Sequence, residues 1–462
     1  MADTVAGHAN TIGAPPAATS STPLLDVLAP EEQRQKERFL PITRFALIDR
    51  LTNPEAWPPG QHLEVRRFFR FLDYWRQQQY GRKMLGLQQA YEPFSPDSDL
   101  LVTRTYTDAE RRILQKRVVR EVGGLLAQAN YERIDPSQVE MILTKESHYG
   151  LDLFVDLKAF EELLIYYRGA STRREEKRVL IKFGRKQEFD VPIFRRLFVL
   201  FKLKPEAQRV AEIMAEDRCD RETAEKRVRK LRSLIPPEVK TDQIYMKLFK
   251  NMPRSDIEMI FPNTRVRFRM LDKIKLGVTG GAGLGMGAFG AAGKIALAAT
   301  NPIAAAGAVA GLGGIVFRQA MNFMNQRQRY MVVMAQNLYF HAMADNRGAM
   351  IKLADRAAEE DIKEEVLLYS VLAKETARRS DLKAVDAAIE EYLSKAFGIS
   401  SDFDISDALE RLVHDGIVAE GADGVLRCLP PRDAALHLDA MWDKFLDNLP
   451  DPTRGEGREI ED

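Results

Sequence analysis

LGVTGGAGLGMGAFGAAGKIALAATNPIAAAGAVAGLGGIVF, residues 276–317, carries one charge, Lys294, in 42 positions, and 24 of the 42 are Gly or Ala. No other part of the chain has this texture. A bilayer core about 30 Å thick is crossed by a helix of about 20 residues, so the stretch predicts a two-pass helical hairpin that turns at Thr300-Asn301-Pro302. The leg from Leu276 to Ala298 is long enough to cross. The leg from Ile303 to Phe317 is short and must borrow from RQAMNFM, with Arg318 reaching the headgroups. Lys294 falls beside the turn, where its ammonium avoids mid-bilayer.

Small residues add close helix contact to this weak hydrophobicity. Gly277, Gly281 and Gly285 recur every four residues, Gly283 and Gly287 form a second pair, and Gly307 and Gly311 a third, the pattern of a glycine zipper. The flanks are cationic. Arg265, Arg267, Arg269, Lys273 and Lys275 precede the stretch, and Arg318, Arg327 and Arg329 follow it. Positive charge at both ends places both on the cytoplasmic side, so a multi-pass protein of a bacterial-type inner membrane with cytoplasmic termini is expected. The same glycines imitate nucleotide sites. Gly285, Gly287 and Gly290 fit GxGxxG, but no strand precedes them and no acidic residue follows at the ribose distance; after Gly293-Lys294, Ile295 stands where a phosphate loop needs Ser or Thr.

On the C-terminal side, residues 325–380 read as membrane-proximal helix. Asn337, Tyr339, His341, Asn346, Arg347, Gly348 and Asp355 gather polar groups and a helix break near Gly348. Glu360, Asp361, Glu364 and Glu365 lie one turn apart, but the Glu-x-x-His ligands of a dimetal bundle are missing. A solvated acidic face is expected there. The phrase QRYMVVMAQNLYFHAMADNRGAMIKLADRAAEEDIKEEVLLYSVL resembles transmembrane protein 143-like proteins, as do FLPITRFALIDRL, YEPFSPDSDLL and KLFKNMPRSDIEMIFPNTRVRFRMLDKIKL. The resemblance covers most of residues 31–372. It implies an integral membrane protein with two spans and a domain of unknown function, and it brings no reaction, cofactor or catalytic residue.

Residues 381–449 run helix, helix, strand, strand, helix, with a turn at Ala422-Asp423-Gly424, an order that suits a winged-helix-like module. Its second helix holds Asp404, Asp407, Glu410 and Asp415 around Arg411, which would repel phosphate. A protein partner is therefore expected there, and nucleic acid is disfavoured. His414 reads as a helix-terminal residue favourable to the dipole.

Toward the N-terminus, residues 205–275 form a largely helical arm, punctuated by Pro236-Pro237 and Pro253. Residues 149–204 switch to short β-prone runs, LDLFVDL, LLIYYRG and RVLIKFG, as a basic α+β unit. Arg168, Arg173, Arg174, Lys177, Arg178, Lys182, Arg185 and Lys186 give that unit a solvated cationic surface that could also meet nucleic acid or anionic lipid headgroups. Residues 31–148 are helical: Leu63, Val65, Phe68, Phe69, Leu72 and Trp75 share a stripe. Residues 1–30 and 450–462 read as disordered tails.

The whole is a predominantly helical α+β chain of 462 residues with a net charge of +1. That balance hides −14 over residues 355–462 and +15 over the rest. Cys219 and Cys428 stand alone, without a metal-ligand spacing, so neither a disulfide framework nor a metal is expected. The first 33 residues hold no Lys or Arg, which predicts no secretory or transit signal. No catalytic motif is present, and no cofactor is indicated. The functional expectation is an integral membrane protein that binds or scaffolds, touching the lipid bilayer and a protein partner and forming homo-oligomers through its glycine faces. Its rivals are a membrane-associated enzyme acting on a lipid or other anionic substrate and a soluble nucleotide-binding protein.

Overall fold

The structure, a computed structural model, describes residues 36–97, 105–135, 152–178, 186–262 except 234, 265–267 and 338–447 except 403, with residues 138, 328, 332 and 335 besides. It is mixed α+β. Helix α1 (Arg44–Leu51) leads into α2 (Gln61–Tyr91) and α3 (Asp108–Gln128). Strands β1 (Glu132–Arg133), β2 (Asp152–Phe154), β3 (Phe160–Arg178) and β4 (Lys186–Leu203) follow, then α4 (Glu206–Asp217) and α5 (Arg221–Arg232). After β5 (Ile244–Pro253), β6 (Arg265–Arg267) and β7 (Ala342–Asp345) comes the long α6 (Asn346–Leu372). The C-terminal part holds β8 (Ala377–Arg378), α7 (Leu382–Phe397), α8 (Ile405–His414), β9 (Val418–Glu420), β10 (Val425–Cys428) and α9 (Pro431–Asp443).

Five strands in the order β1-β3-β4-β5-β7 form an antiparallel sheet. The middle of the sheet is buried on both faces, as the alternation along β3 and β4 shows: Leu164, Phe198 and Leu200 pack toward α2, α3 and α6, while Ile165, Val199 and Phe201 pack toward Ile257, Ile260 and Phe261. The strand β5 lies in what reads from sequence as a helical arm, and its IYMKLF run is a buried strand completing this sheet.

A second core joins distant parts of the chain. Leu47 of α1 and Val65, Phe68, Phe69 and Leu72 of α2 pack against Ile362, Val366 and Tyr369 of α6 and against Leu409, Leu412 and Leu438 from the C-terminal helices. Each large side chain so buried contributes about 1.5–3 kcal/mol. The stripe expected on α2 is present from Val65 to Trp75, whereas Leu63 is 62% exposed. Helix α6 serves both cores. Ala349, Leu353 and Ala357 lie in the sheet core, and Ile362 to Leu372 in the second.

The membrane expectation is corrected here. No helix among the described residues is long and apolar enough to cross a membrane, so an integral, multi-pass inner-membrane protein with transmembrane helices and cytoplasmic termini is not supported. The 31 residues of α2 exceed the length of a span, but Arg66, Arg67, Arg70, Asp73 and Arg76 interrupt it and its apolar stripe is covered by protein. The expected helical hairpin and glycine zipper, residues 276–324 with Gly277, Gly281, Gly283, Gly285, Gly287, Gly307 and Gly311, lie outside the described residues, as do Arg269, Lys273, Lys275, Arg318, Arg327, Arg329 and Asn337. Arg265 and Arg267 are the ends of β6, paired with β2 through Phe154 and Asp152.

Candidate functional site

Where α6 passes from one core to the other it carries Glu360, Asp361, Lys363, Glu364 and Glu365, all buried. An isolated buried charge costs several kcal/mol, so each must find partners. They come from five other segments. Arg168 of β3 donates to Glu360 Oε1 at 2.6 Å, and Lys363 Nζ donates to the same oxygen at 2.6 Å and to the Leu40 carbonyl at 2.7 Å. Arg76 of α2 donates through Nε to both oxygens of Glu365, at 2.8 and 3.0 Å, and its Nη2 lies 2.6 Å from Asp415 Oδ2. Tyr80 donates to Asp361 Oδ2 at 2.7 Å. Arg411 of α8 reaches three carboxylates: Nε to Glu365 Oε1 at 2.7 Å, Nη2 to Glu364 Oε2 at 2.6 Å, and Nη1 to Asp361 Oδ1 at 3.3 Å. Asn130, just past α3 and at φ +57°, gives Nδ2 to Glu364 Oε1 at 3.1 Å.

The sequence expectation of a solvated acidic face at Glu360–Glu365 is therefore reversed. The turn spacing was legible, but the partners on other segments stand 46 to 323 residues away in sequence and only folding brings them near. Arg168, expected on a cationic surface, is likewise buried and lies over the Phe39 ring at 4.5 Å. Lys182 and Arg185 lie outside the described residues.

This network floors a cleft of about 1540 Å³. Tyr80, Asp361 and Arg411 reach its wall, so buried network and open cleft are continuous. Arg38, Arg82, Lys83 and Lys444 line it in one charge sense, and Asp386, Asp402, Asp404, Asp407 and Glu410 in the other. The carboxylates are crowded. Burial first, and then Glu390, Asp402 and Asp404, push the Asp386 carboxyl up to about 6, with Lys36 opposing. Helix α8 presents Ser406, Asp407, Glu410 and His414 to this cleft and buries Ala408, Leu409 and Leu412 behind.

The polar residues singled out near the start of α6 are separate from the cleft. Asn346, at φ +43°, accepts the Met246 N–H at 3.1 Å and donates to Asp97 at 2.7 Å, tying β5 and the end of the α2 region to the helix start. Arg347 donates to Gln88 at 2.8 Å, and Tyr339 stands exposed beside Phe340. The helix break expected at Gly348 falls two residues earlier, where β7 gives way to α6; a Cβ at Gly348 would meet only Ala344 at 3.8 Å. His341 Nδ1 sits 2.7 Å from the Lys250 carbonyl. Among the described residues no group of His, Cys, Asp and Glu is placed to hold a metal.

Residues 160–348 match a family described as "Protein of unknown function (DUF3754)". No solved structure matches the chain. The matched part runs from β3 to the start of α6, so it covers four of the five strands of the large sheet, all but β1, and ends before the network carboxylates and before α8. Its description assigns no activity and makes no link to transmembrane protein 143-like proteins.

Proposed function

We propose that the protein works by binding a basic segment of another protein, through a C-terminal winged-helix-like module whose acidic helix looks into the cleft. Chain order and pairing support the module: α6, β8, α7, α8, β9 and β10 follow one another, and the small sheet runs β8-β10-β9, so its first strand lies beside its last. In such a module α8 takes the place of the groove-reading helix. The observation that carries the binding reading is the direction of Arg411. It is the sole Lys or Arg in α8 and it is committed inward to Glu364 and Glu365, while Asp407 and Glu410 face the cleft. Phosphate would meet net negative charge on that face, whereas a Lys/Arg-rich segment finds complementary charge.

Fluorescence anisotropy with a labelled Lys/Arg-rich peptide and a duplex DNA of equal charge tests this on the full chain. The peptide binds and the DNA does not; raising salt from about 50 to about 300 mM weakens the complex, as screening requires. The combined change Asp404→Asn, Asp407→Asn, Glu410→Gln weakens peptide binding about tenfold or more. Binding of the DNA with none of the peptide refutes the reading.

A further inference from the structure

We infer that the α6 junction holds one proton at neutral pH, on Glu364, and that its loss above neutrality releases α8 from α6 and opens the cleft. The inference does not depend on what the cleft binds. Charge counting on the geometry points to it. Five buried carboxylates, Glu360, Asp361, Glu364, Glu365 and Asp415, share four cations, Arg76, Arg168, Lys363 and Arg411.

The surplus falls on Glu364. Arg168 and Lys363 both serve Glu360, and Arg76 serves Glu365 and Asp415. That leaves Glu364 a share of Arg411, which it divides with Asp361 and Glu365, and the neutral amide of Asn130. The charged and titratable groups around it are Glu360, Asp361, Lys363 and Glu365 on its own helix, Arg76, Tyr80 and Lys83 from α2, Arg168 from β3, and Arg411, Asp407, Glu410 and Asp415 from α8 and the residue after it. Burial pushes the Glu364 carboxyl up to about 8; Arg411 opposes this, and Asp361 and Glu360 add to it. Oε2 takes the Arg411 guanidinium, so the proton belongs on Oε1, where it donates to the Asn130 side-chain oxygen once that amide is turned.

The linkage sign follows from the direction of the shift. A carboxyl raised from its ordinary 4.5 to about 8 keeps its proton in the folded chain after the unfolded chain has released it. The stability it contributes is present below the ordinary value and is lost as pH rises toward about 8. Beyond that, the junction carries one uncompensated negative charge between two apolar cores. Water from the cleft relieves it, because Asp361 and Arg411 already form both cleft wall and network.

Two measurements on the full chain test this. The infrared C=O stretch of a buried protonated carboxylic acid is present at about pH 6 and disappears through about pH 8 in the wild-type chain. Backbone hydrogen exchange in α8, corrected for its intrinsic pH dependence, rises about tenfold between about pH 6 and about pH 10 in the wild type, and less than about twofold in Glu364→Gln. No protonated-acid band at neutral pH overturns the inference, whether or not the variant folds. So does an equal rise of α8 exchange in both chains.

Discussion

Helices α5 and α6 are both dense in charge, RETAEKRVRKLR against AAEEDIKEEV, yet their charges live in different media. On α5 the pairs Arg221–Glu225 and Lys226–Glu222 are four residues apart and exposed, and Arg227 pairs with Asp217 of the neighbouring helix in the same exposed setting. On α6 the carboxylates are buried between two cores and reach partners on α2, β3 and α8. Exposed pairs contribute about 0–1 kcal/mol each, since water serves the ions nearly as well. Buried pairs are costly to assemble and more costly to break. Charge density in a helix therefore says little about its role until the far partners are known.

The largest effect that would sharpen this contrast is at Arg411. Arg411→Ala leaves three buried carboxylates short of a cation and lowers stability by about 3–5 kcal/mol in denaturant unfolding; a loss as small as that of an exposed pair would erase the distinction between the helices. A smaller effect concerns pH on the cleft rim. The Asp386 carboxyl, raised from 3.8 to about 6, holds its proton in the folded chain after the unfolded chain has lost it. Its stability contribution is lost as pH rises through that window, and Asp386→Asn flattens the slope of melting temperature against pH there. Glu364→Gln, which copies the protonated carboxyl in the folded chain and cannot ionise in the unfolded one, changes stability by less than about 1 kcal/mol at about pH 4 and becomes more stable than the wild type as pH rises toward about 8, opposite in sign to Arg411→Ala. Smallest of all, Lys226→Ala on α5 shifts unfolding by less than about 0.5 kcal/mol.

Local pattern was legible and distant pairing was not. The α2 stripe, the two helices and two strands of residues 381–428 and the closing helix α9 all follow spacings that the chain displays within a few residues. Strand β8 escaped notice because two residues carry no period, and β5 because a run buried on both faces has no alternation to read. The cleft could not be read from sequence at all. Arg76, Asn130 and Glu364 are separated by 54 and 234 residues in sequence, and no local signal marks them as neighbours. The Gly/Ala stretch had the strongest local signal of all, and it attracted a membrane reading that the described helices do not bear out.

One rod threading two apolar compartments has a mechanical outcome. Because α6 gives its first turns to the sheet core and its last to the α2–α8 core, neither compartment can come apart without stripping the other of a wall. The molecule should melt in a single cooperative step, and a nick introduced midway along that helix should yield two sticky fragments instead of two tidy halves.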